Sequence, residues 1–349
     1  MRALVIYNPI AGSHAQEDDL HQTVEYLAHQ GWDIASVEQT HGPGDATTYA
    51  REAVAHGCNA VFVAGGDGTV AQAVDGMWGS EAVLGLLPAG TGNVMARQLN
   101  LPVPGGLYAR PMLESARLLL TGQVRPVDIG RIGPKAGSGP VRHFLCWGGV
   151  GFDAQVNMDF AEEKRLNRGL GLVAFTVSTL LTMRDFAGTA AAVRVDGHRV
   201  SRRMIMLVAN NIQLYGVIFR MAPTAILDDG SLDLYLFQGR SPARTFLHAL
   251  RLLFNAHVQD PEVDVYRARH VEINTYRPLP VHVDGEAIGY TPVVIDVVPR
   301  ALRLMVPSCA PASLFVDGTG MLAPESSWEW MLRMARDAQQ AFRQRGSLP

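Results

Sequence analysis

The chain has 349 residues, long enough for two domains of ordinary size. With 48% apolar and 18% charged residues it can bury a large core, which excludes wholesale disorder. A net charge of −3 excludes a strongly basic nucleic-acid binder, and a basic complement with lysine only at Lys135 and Lys164 excludes mechanisms that need a phosphate-loop lysine.

In chain order, ALVIY (3–7) reads as a short buried strand that runs into the turn-rich NPIAGS. A helix follows over 17–30 and stops at Gly31. DIASVEQ (33–39) is a second strand, and Asp45 can cap a helix that runs through His56 to Gly57. NAVFVAG (59–65) and AVLGLLP (82–88) are strands three and four, each followed by a glycine loop and a helix, to about Met77 and over 94–99. Strands separated by helical stretches imply a doubly wound, Rossmann-like α/β domain with a parallel sheet, over about 1–123. Ligands of such sheets bind at the carboxyl ends of the strands, where all three glycine loops fall.

After Gly122 strand-like runs dominate, from RPVDIGRI through RRMIMLVANN and LPVHVDGE to LRLMV. Two helices interrupt them, near 165–184 and 241–255. These residues, about 124–306, predict a second, mainly antiparallel all-β domain. The tail 307–349 carries an amphipathic helix over 328–345 that could pack back on the first domain. GLGLVAFTVSTLLTM (169–183) is the most apolar helical candidate but falls short of the roughly 18–20 residues that span a bilayer. The N-terminus lacks a charged leader and long apolar run, and Cys58, Cys146 and Cys309 have no metal or disulfide spacing. A soluble, cytoplasmic protein that touches a membrane without crossing it is expected.

Five loops could carry chemistry. Asn8-Pro9-Ile10-Ala11-Gly12-Ser13 could turn backbone amides and the Asn8 side chain toward phosphate oxygens, although alone it is only a turn. Gly65-Gly66-Asp67-Gly68-Thr69 opens a helix, and its glycines permit close approach of a polyphosphate. Asp67 is either a helix cap or a carboxylate that binds Mg²⁺ or takes a proton; capping leaves the surrounding glycines unexplained. In Pro88-Ala89-Gly90-Thr91-Gly92-Asn93, Thr91 and Asn93 offer donors to a phosphate or ribose, or Asn93 is an N-cap. The acidic turn at Asp228-Asp229-Gly230-Ser231, near Ile226, suits either a hard cation or a solvated turn. Asp284-Gly285-Glu286 reads as a hairpin turn, distinguished from Asp196-Gly197 only by its glutamate. Arg244, His248 and Arg251 form a helical stripe that could rest on anionic headgroups, with an ordinary surface helix the preferred account. No Walker loop, HRD, DFG, GxSxG or HExxH pattern occurs.

Taken together, NPIAG, GGDGT, PAGTGN, GVGFDA (149–154), AP followed by DDGSLD, and DGE resemble the diacylglycerol kinase catalytic family, in order along nearly the whole chain. The resemblance implies an N-terminal nucleotide domain, a C-terminal β-sandwich and ATP in the cleft between them. It gives Asp67 a role in phosphoryl transfer and makes Glu286 a candidate base or metal contact. By the same resemblance Asn8, Pro9, Gly12, Thr40, Gly65, Gly66, Gly68, Thr69, Gly90, Thr91 and Asn93 line the nucleotide site. A structural Mg²⁺ would sit on the Asp229 side chain and carbonyls near Ile226 and Ser231, and Asp153 would contact the lipid head group. Many bacterial members carry an acidic residue where this chain has Val94, which excludes a metal arrangement built on that carboxylate. The expected function is ATP- and Mg²⁺-dependent phosphorylation of a hydroxyl of diacylglycerol or a sphingoid base. The lipid and a transient membrane surface would be partners, nucleic acid would not, and a homodimer stays open. Leu170, Leu172, Phe175, Val177, Leu180 and Leu181 would line the apolar groove for the lipid chains. Rival readings are an NAD kinase or other small-molecule kinase sharing GGDG, and a non-catalytic lipid-binding regulator.

Overall fold

In the computed structural model, residues 1–11, 16–136, 139–166, 186, 188–217 and 219–318 are described, with backbone alone over 160–166. Gly12, the apolar segment 169–183 with its six proposed lining residues, and the tail helix 328–345 lie outside them.

The first half alternates β1 (Arg2–Tyr7), α1 (Gln16–His29), β2 (Asp33–Gln39), α2 (Asp45–Ala55), β3 (Ala60–Gly65), α3 (Asp67–Met77), β4 (Val83–Pro88), α4 (Val94–Gln98) and α5 (Pro111–Leu120). The strands pair in parallel in the order β2-β1-β3-β4. β3, AVFVAG, is buried at every residue, because helices cover both faces of a parallel sheet. Gly85 of β4 is required by packing: a Cβ there would lie 2.4 Å from the Phe62 ring. α5 is an element that sequence analysis did not assign. One expected cap differs. Gly44, at φ 92°, is the N-cap of α2, and Asp45 instead accepts from the amides of His41 (2.7 Å) and Gly42 (2.9 Å), closing the turn before the helix.

Pairing turns antiparallel with β5 (Gln123–Pro134), followed by β6 (Arg142–Phe144), β7 (Trp147–Gly151), α6 (Phe152–Leu166), β8 (Thr189–Val195), β9 (His198–Asn210), β10 (Leu232–Gln238), α7 (Pro242–Leu253), β11 (Val263–Ala268), β12 (His270–Thr275), β13 (Pro280–Val283), β14 (Glu286–Tyr290) and β15 (Val293–Val306). One layer runs β14-β13-β7-β9-β10-β11 and the other β8-β12-β15-β5-β6, so the predicted mixed α/β and antiparallel β-sandwich fold is observed. The long β9 joins the layers: its first half pairs with β8 and its second half lies between β7 and β10. β15 reaches back the other way, with Arg303 and Leu304 paired in parallel to Val83 and Leu84 of β4. The described start of the tail follows it, burying Leu314 and Phe315 in the core that contains the parallel sheet. No helix among the described residues is long and apolar enough to cross a membrane.

Candidate active site

Each glycine loop leaves the carboxyl end of a parallel strand, which gathers the loops on one edge. The Asn8 side-chain amide donates to Thr69 Oγ1 at 2.8 Å, tying the loop after β1 to the first turn of α3. Its Oδ1 accepts from the Ile10 amide at 3.1 Å, so the same side chain shapes its own loop, which begins at Pro9. Thr40 is buried at the end of β2, its amide bonded to the Tyr7 carbonyl at 2.8 Å. The loops after β3 and β4 touch through bare backbone. A Cβ on Gly90 would fall 2.6 Å from the Gly66 Cα, and one on Gly65 would strike the Thr69 side chain at 2.7 Å. Asn93 is not a free donor: at φ 49° it folds its amide back across its own loop, bonding both the amide and the carbonyl of Gly90. Thr91 is exposed at the loop tip. Gln16 closes the arrangement from α1, donating to the Ala89 carbonyl at 2.7 Å.

Asp67 stands at the start of α3 with Oδ1 accepting from the Val94 amide at 2.6 Å. Its Oδ2 is aimed at Gly92, where a Cβ would lie 2.6 Å away. Burial raises its pKa, against the lowering effect of the amides of Val94, Met95 and Asn93. The charge of Arg97 is felt by this carboxylate, and Arg97 donates through Nε to the Gly92 carbonyl at 2.7 Å. Position 94 thus serves Asp67 through its main chain, while the Val94 side chain is core.

The second half of the chain delivers Glu286 to the same place. Its Oε1 accepts from Gln72 Nε2 at 3.1 Å and would lie 3.0 Å from a Cβ on Gly68. Its Oε2 accepts from Arg142 at 3.0 Å. Arg142 also pairs with Asp75 of α3, and Asp75 Oδ1 accepts from the His143 amide at 2.8 Å. The turn before Glu286 is pinned by Asp284, whose carboxylate accepts from the amides of Leu145 (3.0 Å), Cys146 (3.1 Å) and Trp147 (2.8 Å). Burial pushes the Asp284 pKa up to about 7, and the Asp67 charge adds to the rise. The structure therefore brings Glu286, more than 200 residues away in sequence, against Gly68, the residue that follows Asp67.

This arrangement, α/β loops meeting a sandwich turn, has named relatives. Residues 2–132 match the diacylglycerol kinase catalytic domain, and residues 148–306 match the YegS C-terminal NAD kinase beta sandwich-like domain. The chain belongs to the diacylglycerol kinase catalytic family. A diacylglycerol kinase of Bacillus subtilis is 26% identical over 308 residues, covering 88% of this chain and 96% of that protein. One from Mycobacterium tuberculosis is 29% identical over 308 residues, covering 88% and 95%. The crystal structure of a diacylglycerol kinase from Bacillus anthracis superposes with a TM-score of 0.69 at 25% identity, covering 88% of this chain and 97% of that one.

Two regions that the family resemblance marks stand apart from the glycine loops. Asp153, at the start of α6, is buried, and Oδ2 accepts from the Tyr215 hydroxyl at 3.0 Å and faces His282 Nε2 at 2.8 Å. The Gly285 amide donates to His282 Nδ1 at 3.2 Å, which leaves Nε2 to carry the proton given to Asp153. Asp153 is thereby linked to the turn that carries Glu286. At the acidic turn, Asp229 Oδ1 accepts from the Ser231 amide at 2.9 Å and Oδ2 pairs with Arg267. Beneath it the buried Asp128 accepts from the amides of Gly230 (2.6 Å) and Arg300 (2.7 Å). Among the described residues no three His, Cys, Asp or Glu side chains converge as a metal site. With a guanidinium on Asp229 and amides on the other carboxylate, the donor set around Ile226, Asp229 and Ser231 does not fit a bound Mg²⁺, and no step is routed through one there.

Sequence reasoning missed Gln16, Asp75, Arg97, Arg142, Tyr215 and His282. None lies in a glycine loop. Only Arg97, one helical turn beyond PAGTGN, carried a local signal, as the cation nearest a phosphate-type loop.

Proposed function

We propose that the protein transfers the γ-phosphate of ATP to a hydroxyl of a diacylglycerol or a related lipid such as a sphingoid base. The observation that carries this reading is the approach of Glu286 to Gly68, the neighbour of Asp67, on the edge where the loops after β3 and β4 meet through bare backbone. ATP enters as its Mg²⁺ complex, and the metal screens phosphate charge as part of that substrate. The loops supply close backbone approach and amide donors to the triphosphate, with Asn8 holding the first loop against α3. Asp67 takes the proton of the lipid hydroxyl through Oδ2, since Oδ1 is held by the Val94 amide. Its raised pKa makes it a better proton acceptor than an ordinary surface carboxylate. Glu286, fixed between Gln72 and Arg142, orients the acceptor, and Arg97 adds positive charge beside the loops. Positioning and charge stabilisation do most of the work in transfers of this kind.

The test is an assay of the full chain with γ-labelled ATP and separate diacylglycerol, sphingosine and NAD acceptors, with products identified by mass spectrometry. A phosphorylated lipid is expected. Phosphorylated NAD would transfer the reading to a small-molecule kinase, and tight ATP binding without any product would leave a lipid-binding regulator.

A further inference from the structure

α7 turns the face opposite to the one its basic pattern implied toward the outside. It buries Thr245, His248 and Leu252. His248 lies with Nε2 2.8 Å from the Gln238 carbonyl, Arg251 pairs with the buried Asp260, and Arg244 reaches Glu262 at 2.6 Å. The polar side chains of the helix are used internally, and apolar ones face out. Phe246 is 50% exposed, Leu250 40% and Phe254 61%, with Val258 at 39% just beyond the helix. Positions 246, 250 and 254 recur every four residues and so form one continuous stripe. A contiguous apolar stripe on an outer face marks an interaction surface rather than a chance exposure.

Beside the first turn of the same helix opens a groove of about 980 Å³, lined by Arg199, Arg202, Arg203, Arg240 and Arg244. Arg202 is paired with Asp264 and Arg244 with Glu262. Arg199, Arg203 and Arg240 are exposed and have no carboxylate partner among the described residues. An apolar stripe flanked by uncompensated arginines matches the two layers of an anionic membrane surface. The apolar side chains enter the headgroup boundary, and the guanidinium groups meet lipid phosphates. A second copy of this chain fits less well, because a two-fold contact uses the same surface of both partners and so gathers two sets of uncompensated arginines into one interface.

We propose that the outer stripe of α7 and the adjoining arginine groove dock the protein on an anionic lipid bilayer. This deepens the lipid-kinase reading and rests on it for the purpose of docking, not for the surface itself.

The test is co-sedimentation of the full chain with vesicles of phosphatidylcholine alone, or of phosphatidylcholine mixed with phosphatidylglycerol. Two variants are compared: the triple Phe246→Ser/Leu250→Ser/Phe254→Ser and the triple Arg199→Gln/Arg203→Gln/Arg240→Gln. The wild type binds only the anionic vesicles, less as salt rises. Each lost arginine weakens partition about fivefold, so the arginine variant loses of order a hundredfold. The serine variant loses at least about tenfold. Both keep wild-type thermal stability and wild-type turnover of a short-chain acceptor in free solution. If the serine variant melts early, the arginine variant decides alone. Wild type that ignores charge or does not sediment would overturn the proposal, as would an unchanged partition of the arginine variant. So would a wild-type dimer that the serine variant dissociates, since that assigns the face to a second copy. If no lipid is phosphorylated at all, the kinase reading fails while the sedimentation still decides the docking.

Discussion

At Asp67, burial and hydrogen bonding pull in opposite directions, and burial wins, so the carboxylate is more basic than a surface aspartate. As a base it must be deprotonated, so kcat/KM should rise with pH through that raised pKa and then level off. Asp67→Asn keeps the shape and one acceptor for the Val94 amide but removes the charge. It should leave the fold intact and lower turnover about 10²–10³-fold, the usual cost of deleting a group aimed at developing charge. Near wild-type turnover would remove Asp67 from the mechanism. Asp284 gives a second pH effect, on stability. Its folded pKa of about 7 lies above the ordinary value of 3.8, so between these the native state holds a proton that the unfolded state has released. Stability should therefore be greatest below that window, decline as pH rises through it, and level off above about 7. A melting temperature that climbs from pH 4 to pH 7 would contradict this ordering.

Among elements, α3 is the one that the two halves of the chain share. Its N-terminus carries Asp67, its middle gives Gln72 to Glu286, and its end gives Asp75 to Arg142 and His143. Trp78, just past the helix, stacks on the His143 ring with centroids 4.4 Å apart. Arg142→Ala should leave Glu286 without its cation and Asp75 with only His143. The expected loss is about 1–3 kcal/mol of stability, read by denaturant unfolding, and a fall in turnover that Arg142→Lys partly restores. An unchanged rate with the same stability loss would confine Arg142 to holding the halves together. The parallel strands, the glycine loops and the antiparallel second half were legible in the sequence because each rests on local signals: short apolar runs, glycine after a strand, polar alternation. The α3 network was not, since Asp75, Arg142 and Glu286 meet only through the tertiary fold. α7 marks the limit of periodicity. Spacing places Arg244, His248 and Arg251 on one face, but which face turns inward was decided by Asp260 and Glu262, outside the helix. α5 was passed over beside a stretch rich in proline and glycine, although Pro111 at its first turn is an ordinary helix-start signal.

For the molecule as a whole, β15 decides whether the two halves can act separately. Its first residues belong to the sandwich, paired with β12 and β5, and near its end Arg303 and Leu304 extend the parallel sheet beyond β4. The core is continuous across the same boundary. One cluster of buried side chains runs from Val5 and Phe62 through Val127 and Trp147 to Val208, Phe237 and Leu314. Separating the halves would expose this apolar surface and leave the edge of β4 without a partner, a template for aggregation. A stable N-terminal fragment would need its own closed core, and residues 1–122 do not have one, because they lack both the strand that covers β4 and the side chains that fill the far side of the cluster. Full-length protein should therefore unfold in one cooperative transition, with calorimetric and van't Hoff enthalpies in agreement, and the isolated fragment 1–122 should fail to give a soluble, cooperatively melting species. Two resolved transitions, or a fragment that melts cleanly by itself, would mean that β15 only decorates a sheet already complete. The cleft would then depend on a hinge between independent bodies rather than on a shared strand.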